Sequence, residues 1–301
     1  MLRREFIHQS VMALSAKALL PERSLPGTDL WKLDTHVHFF DLRQFRYPWL
    51  QNASKINHDF TVEDYREATR EADVGQFIFM ESGAAPEFSG AEARWVSKLA
   101  NENQQIKGII AQIDLSDNIS DVRKFNELKE INLLKGGRGK FIPDSNIFID
   151  NLNHLGELDL TFDLLLSWQD LEKAAKLIEE VPRTTFILDH LGNPGYQDDD
   201  FPVWKEGIKA LAALPNVNCK ISGMISRIGP DWKLEDIQPY FDHAYRSFGA
   251  DRLLYGGDWP VVLLADSYQS WSDAFEVMTA ELPVAERKMI YHQNAKRIYN
   301  L

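Results

Sequence analysis

The chain has 301 residues, of which 44% are hydrophobic and 26% are charged, as expected of a globular protein with a large core. Its net charge of -12, from 33 basic and 45 acidic residues, argues against a nucleic-acid-binding surface, which needs a basic patch. Cys219 is the only cysteine, so neither an intrachain disulfide nor a cysteine metal cluster is possible. No apolar run approaches the roughly 20 residues of a membrane-spanning helix. The net charge does not exclude a small-molecule ligand, such as an anion held by a few arginines, and the composition leaves the oligomeric state open.

Residues 1–27 resemble an export signal rather than part of the fold. Arg3 and Arg4 precede a short, moderately apolar segment, which is typical of a twin-arginine signal peptide. Lys17 interrupts that segment, and the triplet around it is a poor cleavage site. A basic N-terminal helix is the alternative. We therefore predict an exported, periplasmic protein, with a cytoplasmic location as the alternative, and one folded domain over residues 28–301.

From Asp29 onward, short runs rich in β-branched and aromatic residues alternate with stretches of helical periodicity. In chain order the predicted strands are WKLDTHVHF, GQFIFMESG, IKGIIAQIDL, LLKGGRG, LTFDLLL, TTFILDHLG, NVNCKISG and RLLYGGDWP. Helical stretches such as WQDLEKAAKLIEEV, in which Leu171, Ala174 and Ile178 share one face, lie between them. This alternation matches an α/β fold of the (β/α)8 TIM-barrel type, which typically takes ~250 residues. A doubly wound open sheet is the competitor, but no glycine-rich phosphate loop follows the first strand.

The first predicted strand ends with two histidines one residue apart, His36 and His38. Residues i and i+2 of a strand point to the same face about 6.6 Å apart, so the two imidazoles would project together. Asp34 would lie behind them on that face. Paired imidazoles at a strand end are typical ligands of a first-row metal ion. For this tripeptide alone, a chance occurrence on a surface strand is the alternative.

Other predicted strands also end in polar side chains. Glu81 ends the second, Arg138 lies in the fourth, Asp189 and His190 end the sixth, and Asp258 ends the eighth. Barrel active sites are built at the carboxyl ends of the strands. Together with the two histidines of the first strand, these residues predict that three imidazoles, one or two carboxylates and a guanidinium meet at one mouth.

Several motifs, in this order, resemble those of a known family: DTHVHFFD, YPWL, FDLLL, FILDHLGNP, CKISG and YGGDWPV. They are similar to the amidohydrolase-2 family, and within it to the sugar-acid and dicarboxylate lactonases (L-fuconolactonase, L-rhamnono-lactonase and pyrone-dicarboxylate lactonase). The resemblance runs from about residue 33 to residue 299. It implies a distorted barrel of the metal-dependent-hydrolase type, hydrolysis of a cyclic ester, and a site built from His36, His38, His190 and Asp258.

The chain departs from the family pattern at two positions. Gly139 stands where the fourth-strand motif usually has histidine, and Gly257 stands where the eighth-strand motif usually has serine. Lys135 lies too early in the fourth strand to bridge two metal ions, so we expect at most one. The resemblance leaves the metal itself open, because branches of the family differ in whether they use one.

Opening a lactone needs a water nucleophile, a base that deprotonates it, and a group that stabilises negative charge on the carbonyl oxygen. Asp258 is the candidate base, and His190 is the second candidate catalytic residue. A single Zn²⁺ or Mn²⁺ held by His36, His38, His190 and Asp258 would lower the pKa of a bound water towards about 7. Without a metal, the imidazoles would hold the water or polarise the carbonyl, and Asp258 would still be the base.

Five further residues are candidates for substrate binding. The planar guanidinium of Arg138 suits a substrate carboxylate or the carbonyl oxygen. Glu81 is either a substrate contact or a structural partner of a buried cation. Tyr47, Trp49 and Trp259 follow strand ends and could wall a sugar-sized pocket.

Three functions remain open at this point. The first is a lactonase of carbohydrate metabolism or of carboxylated lactones. The second is a metal-dependent decarboxylase of an unsaturated or aromatic acid on the same scaffold, which would usually carry a glutamate near the first-strand motif. The third is a non-catalytic barrel that only binds its ligand. Separately, Asp163 in the fifth strand needs a partner if it is buried, and Lys220 is the candidate.

Overall fold

The computed structural model describes residues 30–116, 130–197 and 199–301. The predicted leader, with Arg3 and Arg4, lies outside the described residues. Eight parallel strands form a single sheet in which each strand pairs with the next one along the chain. These strands are β1 (Lys32–Val37), β2 (Val74–Met80), β3 (Ile106–Gln112), β4 (Leu134–Arg138), β5 (Thr161–Leu164), β6 (Phe186–Leu188), β7 (Val217–Ile221) and β8 (Leu253–Tyr255).

The sheet closes between β8 and β1, where backbone contacts continue beyond both strands. The N–H of His38 donates to the Trp259 carbonyl at 2.7 Å, and the N–H of Asp258 donates to the His36 carbonyl at 2.8 Å. Val37 and Trp259 form an isolated parallel bridge. The result is a nearly closed barrel, which confirms the predicted (β/α)8 fold.

Each strand predicted from the sequence contains one observed strand, but the observed strands are shorter. β6 and β8 have 3 residues each, although the runs that predicted them have nine. Most of the remaining residues of these two runs lie beyond the carboxyl end of the strand, in a loop or a 3₁₀ turn. These segments carry the predicted site residues His190, Asp258 and Trp259, and the paired strands hold the start of each segment in place.

Helices cover the outside of the barrel. The first one begins at a capping box, in which Thr61 and Asp64 each accept the backbone N–H of the other. No helix among the described residues is long and apolar enough to cross a membrane. The helices are α1 (Val62–Ala68), α2 (Ala91–Glu102), α3 (Asn146–Glu157), α4 (Leu171–Glu179), α5 (Phe201–Ala212), α6 (Met224–Ile228), α7 (Leu234–Phe248), α8 (Tyr268–Thr279), α9 (Val284–Lys288) and α10 (Asn294–Ile298), with a π-helical turn at Met289–Gln293. Short 3₁₀ turns lie at Pro48–Asn52, Ser54–Ile56, Pro86–Phe88, Trp168–Asp170, Asp189–Gly192, Ala250–Arg252 and Val261–Leu264.

The apolar core has two parts. The larger part lies between the strands and the surrounding helices, and a smaller cluster lies inside the barrel. The C-terminal segment closes this interior, because Ala295 and Tyr299 pack against the inward-facing side chains of the strands. Those side chains are Leu33, Ile78, Met80, Ile110, Ile187 and Leu254. A packed interior of this kind leaves the polar chemistry to the carboxyl ends of the strands.

Candidate active site

His36 in β1 and His38 immediately after it face the barrel mouth, but the strand is irregular where they lie. The pairing register of β1 with β2 shifts between Asp34 and Val37. The rings of His36 and His38 have centroids 5.0 Å apart in a T-shaped arrangement. The prediction that Asp34 shares their face is wrong, because its carboxylate accepts a hydrogen bond from Tyr65 in the outer layer. The irregularity changes the side to which successive residues point.

Asp258 and His190 lie in tight loops after β8 and β6. Both adopt left-handed backbone conformations, with φ of 55° and 53°, which are uncommon for residues other than glycine. Strained backbone of this kind clusters at functional sites. Asp258 Oδ1 lies 3.7 Å from Nε2 of His36, 3.7 Å from Nε2 of His38 and 4.0 Å from Nε2 of His190. Three imidazole nitrogens thus converge on one carboxylate oxygen.

The opposite nitrogens of two of these rings have partners that fix the rings in place. Nδ1 of His38 lies 3.0 Å from the Met80 carbonyl, so this nitrogen must carry the proton. Nδ1 of His190 lies 2.9 Å from the Ser222 hydroxyl. With a proton on each Nδ1, both Nε2 lone pairs point towards Asp258.

A buried network of charges lies beside the third ring. Asp189 Oδ1 faces Nδ1 of His36 at 3.4 Å, and its two oxygens also contact Arg138 at 3.0 Å and Lys220 at 3.1 Å. Burial would raise the pKa of Asp189, but Lys220, His36 and Arg138 hold it well below its usual range. Lys220 also pairs with Asp163 at 2.5 Å, which confirms the predicted partner. Asp189 therefore remains ionised beside His36 and favours the tautomer whose Nε2 is free.

Burial sets the protonation states at the centre of the site. It lowers the pKa of His36 well below the usual value and also lowers the pKa of His190, although carboxylates nearby oppose both shifts. Burial alone would raise the pKa of Asp258, but the facing imidazoles, His190 foremost, bring it to about 2. Near neutral pH, an ionised carboxylate therefore faces at least two neutral imidazoles.

These residues fit a single divalent cation. His36, His38 and Asp258 each offer a ligand atom, and the three atoms lie within 4.8 Å of one another. Nε2 of His190 lies close enough to Asp258 to complete a set of three nitrogens and one oxygen. Neutral imidazoles whose Nδ1 is held by a partner are the usual ligands of Zn²⁺. His36 and His190 also group with Asp189, but two buried cations already engage that carboxylate.

Arg138 and Glu81 reach the mouth as predicted, and they are paired with each other. Nε of Arg138 donates to Oε1 of Glu81 at 2.6 Å, and Nη2 donates to the Glu81 carbonyl at 2.9 Å. Nη1 donates to Asp189 and lies 3.5 Å from Nε2 of His36. The guanidinium is thus engaged on all three nitrogens. A direct contact of either residue with substrate stays a prediction.

The three aromatic candidates differ in how deeply they are buried. Trp49 is partly buried, and its indole N–H donates to the Ser82 carbonyl at 2.8 Å. Tyr47 is only 5% exposed, and Trp259 is 1% exposed and packs edge-to-face on Phe60. Trp49 is the most accessible of the three. A pocket-lining role for them stays a prediction.

Packing explains both glycines that depart from the family pattern. A Cβ at Gly139 would lie 2.1 Å from the backbone oxygen of Ile113. A Cβ at Gly257 would lie 2.3 Å from the Tyr268 ring and 2.4 Å from Oδ2 of Asp34. Real Cβ atoms do not approach other atoms so closely. No side chain fits at either position without movement of its neighbours.

Two serines belong to the site although sequence reasoning gave them no role. Ser222 follows β7 and contacts His190, as described above. Ser226 in α6 donates to Oδ2 of Asp258 at 3.2 Å, so the carboxylate is held on the side away from the imidazoles. The first serine lies in the CKISG motif, which is a signal that could have marked it; nothing in the sequence marks the second.

Comparison with known proteins places the chain in a family. The amidohydrolase family model matches residues 33–301, and the chain belongs to that family. The L-fucono-1,5-lactonase of Burkholderia multivorans is 26% identical over 294 residues, which cover 90% of this chain and 96% of that protein. The L-rhamnono-gamma-lactonase of Scheffersomyces stipitis is 24% identical over 180 residues, or 51% of this chain and 53% of that protein.

A solved structure supports the same assignment. An amidohydrolase from Burkholderia multivorans with bound zinc is similar with a TM-score of 0.80 and 26% identity, over 90% of this chain and 99% of that one. The predicted family is therefore confirmed. The chain is a hydrolase of the amidohydrolase superfamily, built as a (β/α)8 barrel.

Proposed function

We propose that the protein hydrolyses a lactone, with Asp258 as the general base. The convergence of three imidazole nitrogens on one ionised carboxylate oxygen carries the proposal. That arrangement can hold a water molecule, remove its proton and stabilise charge nearby. Relatives over most of the chain are named as sugar-acid lactonases, which supports a cyclic ester as the bond attacked.

The reaction can be written in two steps from the residues present. In the first step, the water oxygen bonds to the lactone carbonyl carbon, Asp258 takes the water proton, and the carbonyl oxygen becomes an oxyanion. In the second step, the carbonyl reforms, the ring C–O bond breaks, and protonated Asp258 returns its proton to the alkoxide that leaves. The product is one open-chain hydroxy acid. Ser226 keeps the carboxylate oriented through both transfers.

His36, His38, His190 and Asp258 would hold the divalent cation. A Zn²⁺ or Mn²⁺ bound there would act as a Lewis acid towards the ester carbonyl and the attacking water. Asp189 would keep His36 in the tautomer that presents Nε2, and Ser222 would do the same for His190.

Among lactones, the charges of the site favour one derived from an uncharged sugar over one that carries an extra carboxylate. All three guanidinium nitrogens of Arg138 are already engaged. The buried network holds the carboxylates of Glu81, Asp163 and Asp189, against the cations Arg138 and Lys220. A second carboxylate on the substrate would therefore find no unengaged guanidinium nitrogen in this network to bind.

The test is acid release from a panel of sugar lactones and carboxylated lactones, followed with a pH indicator and with or without added Zn²⁺ or Mn²⁺. Asp258→Asn should lower kcat by about 100-fold to 10,000-fold, because it removes the general base. The matched control is Asp150→Asn, which changes an exposed aspartate on α3 and should keep wild-type kcat. Wild-type turnover in Asp258→Asn would contradict the role of Asp258. No turnover on any lactone would contradict the proposed function, and a panel of aromatic and unsaturated acids followed by ultraviolet absorbance would come next.

A further inference from the structure

The carboxylate of Asp34 collects four hydrogen bonds where β8 meets β1. Oδ1 accepts the N–H of His36 at 2.9 Å and the N–H of Gly257 at 2.7 Å. Oδ2 accepts the hydroxyl groups of Tyr65 at 2.8 Å and Tyr268 at 2.7 Å. The side chain is fully buried. One carboxylate therefore joins β1, the loop after β8, α1 and α8.

The two amides that Asp34 binds belong to the frame of the active site. His36 is a candidate metal ligand, and Gly257 immediately precedes Asp258. The N–H of Asp258 in turn donates to the His36 carbonyl at 2.8 Å. These bonds fix the backbone on both sides of the 3.7 Å contact between Nε2 of His36 and Oδ1 of Asp258. A shift of Asp34 would move those atoms relative to each other.

Tyr268 explains why residue 257 is glycine. Its ring and the carboxylate of Asp34 occupy the space where a Cβ of Gly257 would lie. Its hydroxyl also accepts a hydrogen bond from Tyr255 at 3.1 Å, which anchors it in the outer core. The Tyr268 ring from α8 and the Asp34 carboxylate that it binds therefore fill the space that a side chain at residue 257 would need.

We propose that Asp34 is a positioning residue for His36 and Asp258, and that the hydroxyl groups of Tyr65 and Tyr268 hold it in place. Its effect on turnover rests on the proposed function, since only an enzyme that uses Asp258 as base would slow when that carboxylate moves. Misplacement of a catalytic group by about 1 Å can cost about 100-fold in rate.

The test compares Tyr268→Phe and the double variant Tyr65→Phe/Tyr268→Phe with the wild type. Each change removes a hydroxyl group and keeps the ring, so the core stays filled. We expect kcat to fall about 10-fold in the single variant and about 100-fold in the double variant, with KM within about twofold of the wild type. The control is Tyr291→Phe, another buried tyrosine of the outer core, whose hydroxyl contacts Thr279 and Arg287 instead. It should keep wild-type kcat and lose as much thermal stability as Tyr268→Phe.

Crystal structures of the wild type and the double variant give a readout that does not depend on turnover. The Asp258 carboxylate should move by more than about 0.5 Å relative to His36, the tolerance of a preorganised site. An unmoved carboxylate would overturn the proposal, as would a double variant with the kcat of an active wild type, or an equal loss of kcat in Tyr291→Phe. If the wild type opens no lactone, the proposed function fails, and the two crystal structures alone decide the role of Asp34.

Discussion

Two lysines in the strands of the barrel are fully buried, and the carboxylates that they pair with differ in their exposure to solvent. Lys32 in β1 pairs with Glu276 at 2.5 Å, and the side chain of that glutamate is 33% exposed. Lys220 in β7 bridges Asp163 at 2.5 Å and Asp189 at 3.1 Å, and neither of those carboxylates reaches solvent. Lys32 thus connects β1 to a helix on the outside of the barrel, whereas Lys220 neutralises charge beside the candidate active site.

Solvent access decides what each lysine does for the protein. If Lys32 is lost, water can hydrate Glu276, so the remaining charge costs little. If Lys220 is lost, two carboxylates stay buried with reduced compensation, and an uncompensated buried charge is strongly destabilising. Asp189 also faces His36, so the consequence extends to a candidate metal ligand. Equal burial of two lysines therefore does not imply equal roles.

The largest expected effect comes from replacing each lysine by methionine, which has a similar length. Lys220→Met should lower the free energy of unfolding by about 3–5 kcal/mol. It should also lower kcat by about 10-fold to 100-fold, because Asp189 would no longer orient His36 reliably. Lys32→Met should cost only about 1–2 kcal/mol, since one partner remains hydrated, and should leave kcat unchanged. Urea denaturation and lactone turnover on the same preparations measure both quantities.

A double variant separates charge from geometry in this comparison. Lys220→Met/Asp163→Leu removes one of the two stranded carboxylates and should recover part of the lost stability. It should not recover kcat, because Asp189 still lacks its lysine. Equal losses of kcat in Lys32→Met and Lys220→Met would contradict the division of roles between the two lysines.

Zn²⁺ binding tests the functional side of this comparison, because the candidate metal ligand His36 contacts Asp189, a partner of Lys220. A ligand at 100 times its Kd that binds only the folded state raises the free energy of unfolding by about 2.7 kcal/mol. We expect this gain for chelator-treated wild-type protein supplied with Zn²⁺, and its loss in His38→Ala. The control is His154→Ala, which changes a histidine on α3 that pairs with Glu157 at the surface. Calorimetry that shows the same rise of Tm in both variants would place the bound metal elsewhere.

The fold could be predicted because its signals are local and repeated. Most strands are short apolar or β-branched runs, and five of them carry a polar site residue at or shortly beyond the carboxyl end. The strand-end rule then identified His36, His38, His190 and Asp258, which the structure brings together. The predicted strands were too long, because strand pairing in β6 and β8 ends at Leu188 and Tyr255, before the polar and glycine residues that close each run.

The orientation of side chains was harder to predict than their position. The face of Asp34 depends on a register shift in β1, and that shift follows from pairing with β2 rather than from any residue in the run. The engagement of Arg138 depends on Glu81 and Asp189, which directly follow two other strands. The constraint on Gly257 comes from Tyr268 in a helix that follows it. Tertiary contacts of this kind leave no local pattern.

A buried glutamate with no cationic partner extends the comparison of buried charges, and we expect it to have a smaller effect on stability. Glu92 on α2 is 2% exposed and accepts the N–H of Ser82 at 3.0 Å. Among the described residues it forms no salt bridge, whereas Glu81 beside it pairs with Arg138. Burial raises the pKa of Glu92 to about 8, and the negative charge of Glu81 adds to that shift.

The sign of the resulting pH dependence follows from proton binding. The unfolded chain loses this proton near the ordinary value of 4.5, whereas the folded protein keeps it until about 8, so the contribution of Glu92 to stability is lost as the pH rises between those values. Glu92→Gln mimics the protonated acid and removes this loss. Its advantage over the wild type should grow from near zero at pH 5 to about 2 kcal/mol or more at pH 8. Urea denaturation across this range measures it, with the exposed Glu172→Gln as the control. A constant difference between Glu92→Gln and the wild type would show that the acid is already ionised, and that a buried carboxylate here tolerates its charge without a cation.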